Sequence, residues 1–336
     1  KRVRGRFAFG RQTGLPLETR GCVADFDADR SSLSLWLSTQ THYNVRQNLA
    51  FLLDLPEYNV RVIAEDVGGG FGAKSRPYAE EVVVSHASRV LGRPVKWIED
   101  RAESLLATTH SRATTTDIEF GFDESGRLAA LKGRLALDLG AYIFTSGIVT
   151  AEVASGHCAG PYRIPNISLE VVCVGTNKTP LATYRGAGQP EANFPLECML
   201  DLVAKEIGVS AETIRLRNIV TPAEMPYAQV IPYGGPNSRF ESGDFPALVK
   251  YAVAESGYHE RVDVVANERI AWGLACGIES TGYVGFESAK IMIDGSGAVT
   301  VWSGLTSQGQ GQPTTLAQLC AQILGVARER QRTAPQ

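Results

Sequence analysis

Three short stretches combine glycine with groups that could grip a ligand: "VGGGFGAK" at 67–74, "TYRGAGQPE" at 183–191 and "TSQGQGQPTT" at 306–315. Glycine lets backbone N–H groups approach a ligand closely and form anion-binding concavities. The second stretch adds Arg185, a permanent cation able to donate two parallel bonds to an oxyanion. The third adds the carboxamides of Gln308, Gln310 and Gln312, whose paired donors and acceptor suit the mixed edge of a pterin or a base better than a phosphate. Together the three loops could enclose a pyrophosphate-linked cofactor. Alone, the first loop admits two nucleotide readings. Gly68, Gly70 and Ala73 fit the dinucleotide pattern after the strand-like "VRVIAEDV", while Gly68, Lys74 and Ser75 fit a P-loop except that Ala73 stands where its last glycine belongs.

Each loop has to hang between a strand and a helix. "VRVIAEDV" predicts a strand before the first loop, and "SRPYAEEVVVSHASRVLG" a helix after it, with Pro77 in the first turn and Gly92 at the end. Upstream, Val45, Leu49, Leu52 and Leu53 recur at helical spacing within "STQTHYNVRQNLAFLLDLPE" until Pro56 stops the pattern. "PVKWIED" reads as a strand. "TTTDIEFGFDESGRLAALKGRLAL" predicts two alternating strands around an Asp-Glu-Ser-Gly turn, and "SAKIMIDGSGAVTVWSG" repeats the design around Asp294 to Gly297. Between the hairpins lie the helix "EANFPLECMLDLVAKEIG", a second helix starting near Ser210, and the proline-rich "TPAEMPYAQVIPYGGPNSRFESGD". Hairpins with separate helices make the class α+β rather than doubly wound α/β. The expected boundary falls near 240–262, giving a first domain over 1–245 and a second over 262–336.

The chain has 336 residues, 44% of them hydrophobic and 21% charged, which allows two globular domains. A formal charge of −3 gives no reason to expect a nucleic-acid or anionic-membrane partner, and the basic opening "KRVRGRFAFGR" reads as a solvated end. No stretch approaches the ~20 apolar residues that span a bilayer, and no signal-peptide core opens the chain, so a soluble cytoplasmic protein is expected. Six scattered cysteines without a C-x-x-C pair exclude a zinc ribbon or an iron–sulfur binding run and are expected as buried free thiols. The missing initiator methionine and the polar tail "ARERQRTAPQ", without apolar periodicity, read as a cut chain.

"STQ" (38–40), "GGGFGAK" (68–74), "TYRGAG" (183–188) and "SQGQGQ" (307–312) resemble, in order, the molybdenum-binding subunit of the xanthine oxidase family. That family includes aldehyde oxidoreductases, carbon monoxide dehydrogenases and bacterial N-heterocycle hydroxylases. The separation of 31 residues from Gln40 to Phe71 is the one expected there, and the resemblance runs from about Arg4 to Val326. It implies a molybdenum-cofactor-binding fold whose second domain is incomplete. It further implies that Gly69, Gly70, Phe71 and Gly72 face the pterin-bound metal, with Gln40 beside the metal's apical oxygen and Phe71 near its equatorial plane. Arg185, Gly186, Gln308, Gly309 and Gln310 are implied as further cofactor contacts.

By the same resemblance, molybdenum is held by the dithiolene of molybdopterin, expected as the cytosine dinucleotide, and not by side chains. Such enzymes oxidise an aldehyde or an N-heterocyclic aromatic with oxygen from water. Electrons leave to a partner [2Fe-2S] subunit, with FAD on a further one. The family's general base is a glutamate nearer the carboxyl terminus, and no position matches it: Glu279 and Glu287 both precede the glutamine loop. General bases contribute about 10²- to 10⁴-fold, so this chain alone is expected to be inactive.

Three departures bear on substrate. Gly186 stands where carbon monoxide dehydrogenases carry cysteine, Ser75 where purine oxidisers carry glutamate, and Ala187 where they carry an aromatic. Phe71, Ser75 and Ala187 would then line a wider, less polar substrate pocket. The competing readings are an NAD-dependent dehydrogenase with Glu99 or Asp100 as the ribose-binding acid, and a truncated chain without catalysis.

Overall fold

The structure is a computed structural model that describes residues 1–144, 146–229, 239–259, 264–265, 268–269, 271–279, 288–327 and 331–335. The chain divides into two compact units, Lys1–Gln12 with His110–Gly282, and Thr13–Thr109 with Tyr283–Gln336.

The first unit is built on a four-stranded sheet in the order β1 (Arg2–Gln12), β6 (Ser111–Phe122), β7 (Leu128–Gly140), β8 (Ile167–Gly175). β1, β6 and β7 run antiparallel, and β8 is parallel to β7. The predicted turn forms because Asp123 Oδ1 accepts the N–H groups of Ser125 and Arg127, and Gly126 takes φ 85°. Ile118, Phe120 and Phe122 alternate onto the buried face of β6. Leu196, Met199, Leu200 and Val203 of α5 (Gln189–Ile207) join the same cluster at helical spacing. A second cluster sets Leu135, Leu137 and Leu139 of β7 against Ala151 and Ala154 of α4 (Gly147–Gly156). The helix predicted near Ser210 is α6 (Ala211–Asn218), capped by Ser210 Oγ, which accepts the Thr213 N–H. It is followed by α7 (Phe245–Glu255). Two pairs of two-residue strands, β9 (Tyr227–Ala228) with β10 (Arg239–Phe240) and β11 (Val264–Val265) with β12 (Glu268–Arg269), complete the described part.

The second unit holds a sheet in the order β4 (Val60–Ile63), β3 (Ser32–Leu37), β2 (Gly21–Asp27), β5 (Val95–Ile98). Its core gathers Leu33, Leu35 and Leu37 of β3, Val60 and Val62 of β4, Val45 and Leu49 of α1 (His42–Leu52) and Val84 of α2 (Ala79–Leu91). α3 (Arg101–Ala107) follows β5. A second sheet places β14 (Val299–Ser303) between antiparallel β13 (Ala289–Ile293) and parallel β15 (Gln331–Pro335), with α8 (Gln312–Leu324) in between along the chain.

Several expectations need correction. The basic opening is strand β1, although its charges are solvated as read, with Arg2 and Arg4 paired to Glu119 and Arg6 to Asp117 on β6. Gln331–Pro335 of the tail form a strand: pairing with β14 uses backbone groups, which needs no apolar alternation in the sequence. Pro77 precedes the cap Tyr78 and stands outside α2, whereas Gly92 ends the helix at φ 59°. The cysteines are free, but only Cys22, Cys158 and Cys320 are buried; Cys198 and Cys276 are half-buried and Cys173 is exposed. Among the described residues no helix is long and apolar enough to cross a membrane.

Candidate cofactor site

Gln40 lies in the connection between β3 and α1, and its side chain does not cap the helix: Thr41 is the cap residue. Gln40 Oε1 instead accepts the N–H of Gly72 at 2.9 Å and of Lys74 at 3.3 Å. Two donors converging on one atom fix it as the oxygen, which leaves Nε2 as the outward donor. The contact depends on Gly70. A Cβ there would lie 2.5 Å from Gln40 Cδ and Oε1. Around it the backbone is left-handed at Gly69, Phe71 and Gly72, with φ 97°, 53° and 97°. The Gly69 and Ala73 N–H groups bond within the loop, to Val67 O and Gly70 O. Those of Gly70 and Phe71 donate to no group among the described residues. The Phe71 ring is exposed.

Beneath the loop, Lys74 is buried and donates through Nζ to Glu18 O and Oε2, both at 2.9 Å, and to Ser38 Oγ at 2.7 Å. Glu18 Oε2 also accepts from Ser38 Oγ and from the Gly68 N–H. Burial opposes charge on Glu18, but the hydrogen bonds from Ser38, Lys74 and Gly68 outweigh it and hold the carboxyl below its usual range. Burial draws the Lys74 ammonium below the usual lysine range, with Glu18 opposing the shift. Lys74 therefore anchors its own loop and does not reach outward as a P-loop lysine would. Ser75 is likewise engaged within the loop, its hydroxyl donating to Gly72 O at 2.6 Å.

The glutamine loop joins the same cluster. Val67 N–H donates to Ser307 O at 3.0 Å, and Thr306 Oγ1 donates to Gln40 O at 3.0 Å. Thr306 Oγ1 thus presents lone pairs to His42 Nδ1, 3.1 Å away, placing the ring proton on that nitrogen. Burial, with Arg46 nearby, lowers the His42 pKa and keeps the ring neutral. Gln308 and Gln310 bond to each other, Gln310 Nε2 donating to Gln308 Oε1 at 2.8 Å and Gln308 N–H to Gln310 Oε1 at 2.7 Å. Gly309, at φ 105°, allows that reversal.

In the first unit, Arg185 and Gly186 line a cleft of about 410 Å³ together with His157, Gln189, Asn193 and Glu279. Gly186, Ala187 and Gly188 take positive φ in succession, 95°, 45° and 108°. At Gly188 a Cβ would sit 2.3 Å from Thr150 O and 2.7 Å from Ala154 N, so α4 admits only glycine there. The Ala187 and Gln189 N–H groups close the turn onto Tyr184 O and Gly186 O, while the Gly186 N–H has no partner among the described residues. An exposed guanidinium and a free N–H suit an oxyanion.

The carboxylates of the dinucleotide reading are engaged elsewhere. Glu99 is buried against Arg20 at 2.6 Å, and Asp100 caps α3 by accepting the Glu103 N–H. Of the two glutamates before the glutamine loop, Glu279 lines the cleft and Glu287 lies outside the described residues.

Residues 1–219 match a family profile described as a molybdopterin cofactor-binding domain, and residues 251–333 match a second of the same description. The chain belongs to this family. It is 33% identical over 332 residues to the 6-hydroxypseudooxynicotine dehydrogenase complex subunit gamma of Paenarthrobacter nicotinovorans, covering 97% of this chain and 42% of that protein. It is 34% identical to the nicotine 6-hydroxylase large subunit of the same organism, covering 94% of this chain and 40% of that one. Among solved structures, quinoline 2-oxidoreductase from Pseudomonas putida 86 superimposes with a TM-score of 0.87 at 32% identity, covering 100% of this chain and 44% of that one. The chain thus spans about two fifths of the length of these relatives. These matches place it with the molybdenum-binding large subunits of the xanthine oxidase family.

Sequence reasoning did not find the groups that hold these two loops of the second unit together: Glu18, Ser38, Lys74, Thr306 and His42. Lys74, Ser38 and Thr306 stand inside recognised stretches, but Lys74 looks like a phosphate ligand there and no role is legible for the other two. Glu18 carries no local signal, because its partners lie 20, 50 and 56 residues away.

Proposed function

We propose that the chain is the cofactor-binding part of a molybdenum hydroxylase that oxidises an N-heterocyclic aromatic or an aldehyde with oxygen from water. When bound, the molybdenum cofactor supplies the two-electron oxidation and the oxygen transfer. The chain's residues hold and orient it. The observation that carries this reading is Gln40: its oxygen is fixed by Gly72 and Lys74, so its Nε2 is presented as a donor beside a loop with two unpartnered N–H groups. Such a donor suits an oxygen of the cofactor, and the loop amides suit its electron-rich edge. Arg185 and Gly186 are assigned to oxyanion groups of the cofactor, taken as molybdopterin cytosine dinucleotide, and Gln308, Gly309 and Gln310 to its hydrogen-bonding edge.

Relatives named for nicotine and quinoline support a heteroaromatic substrate. Gly186 in place of cysteine argues against carbon monoxide, and the small Ser75 and Ala187, with Phe71, against a purine. Electrons pass to a partner [2Fe-2S] subunit and onward through an FAD subunit in the cytoplasm. The two cofactor-binding domains are assigned to 1–245 and 262–336. Without the distal glutamate the chain by itself does not turn over.

The test is expression of the complete reading frame in a host that makes the cofactor, followed by metal and pterin analysis. Molybdenum and a pterin should co-purify, and Gln40→Ala should lower kcat by about 10²-fold, as loss of one preorganised donor commonly does. Protein lacking both molybdenum and pterin would overturn the reading.

A further inference from the structure

We propose that Arg112 is a positioning residue: its guanidinium clamps both ends of the turn that carries Arg185 and Gly186, and so sets the donors facing the first unit's cleft. The proposal rests on the functional reading above and identifies what holds that loop. Ser111 and Arg112 open β6, where strand alternation would send one of them outward, yet both are buried. The backbone shows how. Arg112 and Ala113 are left-handed, with φ 65° and 49°, a conformation non-glycine residues keep only where their surroundings impose it.

Turned inward, the guanidinium lies 5.6 Å from the Phe9 ring centroid and reaches three groups of the turn. Nη1 donates to Glu191 Oε2 at 2.9 Å, Nη2 donates to Arg185 O at 2.7 Å, and the Tyr184 ring centroid lies 4.7 Å from its carbon. Tyr184 and Arg185 open the turn; Glu191, in the first turn of α5, closes it. Between these anchors Gly188 packs against α4, with Thr150 O and Ala154 N in the space a Cβ would fill, while Gly186 and Ala187 lie nearer the anchored end at Arg185. Their two internal hydrogen bonds, Ala187 N–H to Tyr184 O and Gln189 N–H to Gly186 O, close short local rings. Among the described residues only Arg112 ties the two ends through one rigid fork, a geometry a lysine cannot reproduce. Because Arg112 holds the carbonyl of Arg185, the side chain of Arg185 stays available to the cleft. Glu191 is the clamp's buried counter-ion, its side chain fully buried, so removing either partner strands the other's charge.

The test compares wild type with R112M, R112K and E191Q in the complete reading frame. Two measurements are made: hydrogen exchange in protein from a host that cannot make the pterin, and pterin content, by fluorescence after release, in protein from one that can. In R112M and E191Q the hydrogen-bonded amides within residues 184–189 should exchange about tenfold faster or more while those of β7 stay within about twofold, the signature of local rather than global opening. Pterin content should fall about fivefold or more in both, with R112K between them and wild type because it keeps the charge without the fork. Unchanged exchange at 184–189, or acceleration spread evenly over β6 and β7, overturns the clamp. If R112M does not fold, E191Q and R112K decide by the same criteria. Absence of pterin from wild type overturns the functional reading alone, and the exchange of the pterin-free variants still judges the clamp.

Discussion

At the scale of single residues, the site depends on the one hydrogen that glycine has where other residues carry Cβ. Gly70→Ala would push a methyl into the Gln40 carboxamide and break its bonds to the Gly72 and Lys74 N–H groups. We expect molybdenum content to fall by about tenfold, as a preorganised contact worth more than 1.4 kcal/mol is lost. Gly156→Ala, at the end of α4 with nothing within 4 Å of a new Cβ, should leave content unchanged. Metal analysis of both variants checks this. Glu81 offers a second prediction. It is buried in the first turn of α2, accepting the Tyr78 N–H, and burial pushes its carboxyl up to about 8. Between the usual carboxylate range near ~4.3 and that value, the folded chain keeps a proton that the unfolded chain has lost. Stability therefore falls as pH rises through this window, by up to about 1.4 kcal/mol per unit, and levels off above it. Urea unfolding between pH 5 and 8 should show that slope in wild type and a flatter one in Glu81→Gln.

At the scale of elements, α5 and α6 are joined by a buried ionic set rather than by apolar packing alone. Arg215 is fully buried and donates to Glu197 Oε2 and to Asp201 Oδ1, both at 2.8 Å, while Tyr162 OH donates to Glu197 Oε1 at 2.7 Å. Burial raises the Glu197 pKa against the pull of Arg215. Removing one member strands the other's charge, so Arg215→Ala should cost about 3–5 kcal/mol in unfolding free energy. Arg134→Ala, which loses only the exposed pair with Glu170, should cost under ~1 kcal/mol. Equal losses in denaturant unfolding would refute the distinction. Both long hairpins were legible in the sequence because apolar alternation and an Asp-x-Ser-Gly turn act locally. β1 and β15 were not, since an edge strand is defined by a partner's backbone.

At the scale of the whole molecule, the chain covers about two fifths of its relatives' length, and the general base under the function proposed above is a glutamate not found among these residues. We expect these 336 residues, loaded with cofactor, to show at least about 10²-fold lower kcat than the complete reading frame on the same heterocycle. Equal turnover by both would remove the distal glutamate from the mechanism.

The sequence by itself determined the family and the α+β class, because four ordered glycine, glutamine and arginine motifs and the local alternation of the hairpins are legible along the chain. Only the tertiary structure decided what Lys74, Ser75, Glu99 and Arg112 do. Each is a strongly interacting polar group whose role is set by the partner that burial brings to it, and those partners, Glu18, Gly72, Arg20 and Glu191, are chosen by folding rather than by proximity along the chain.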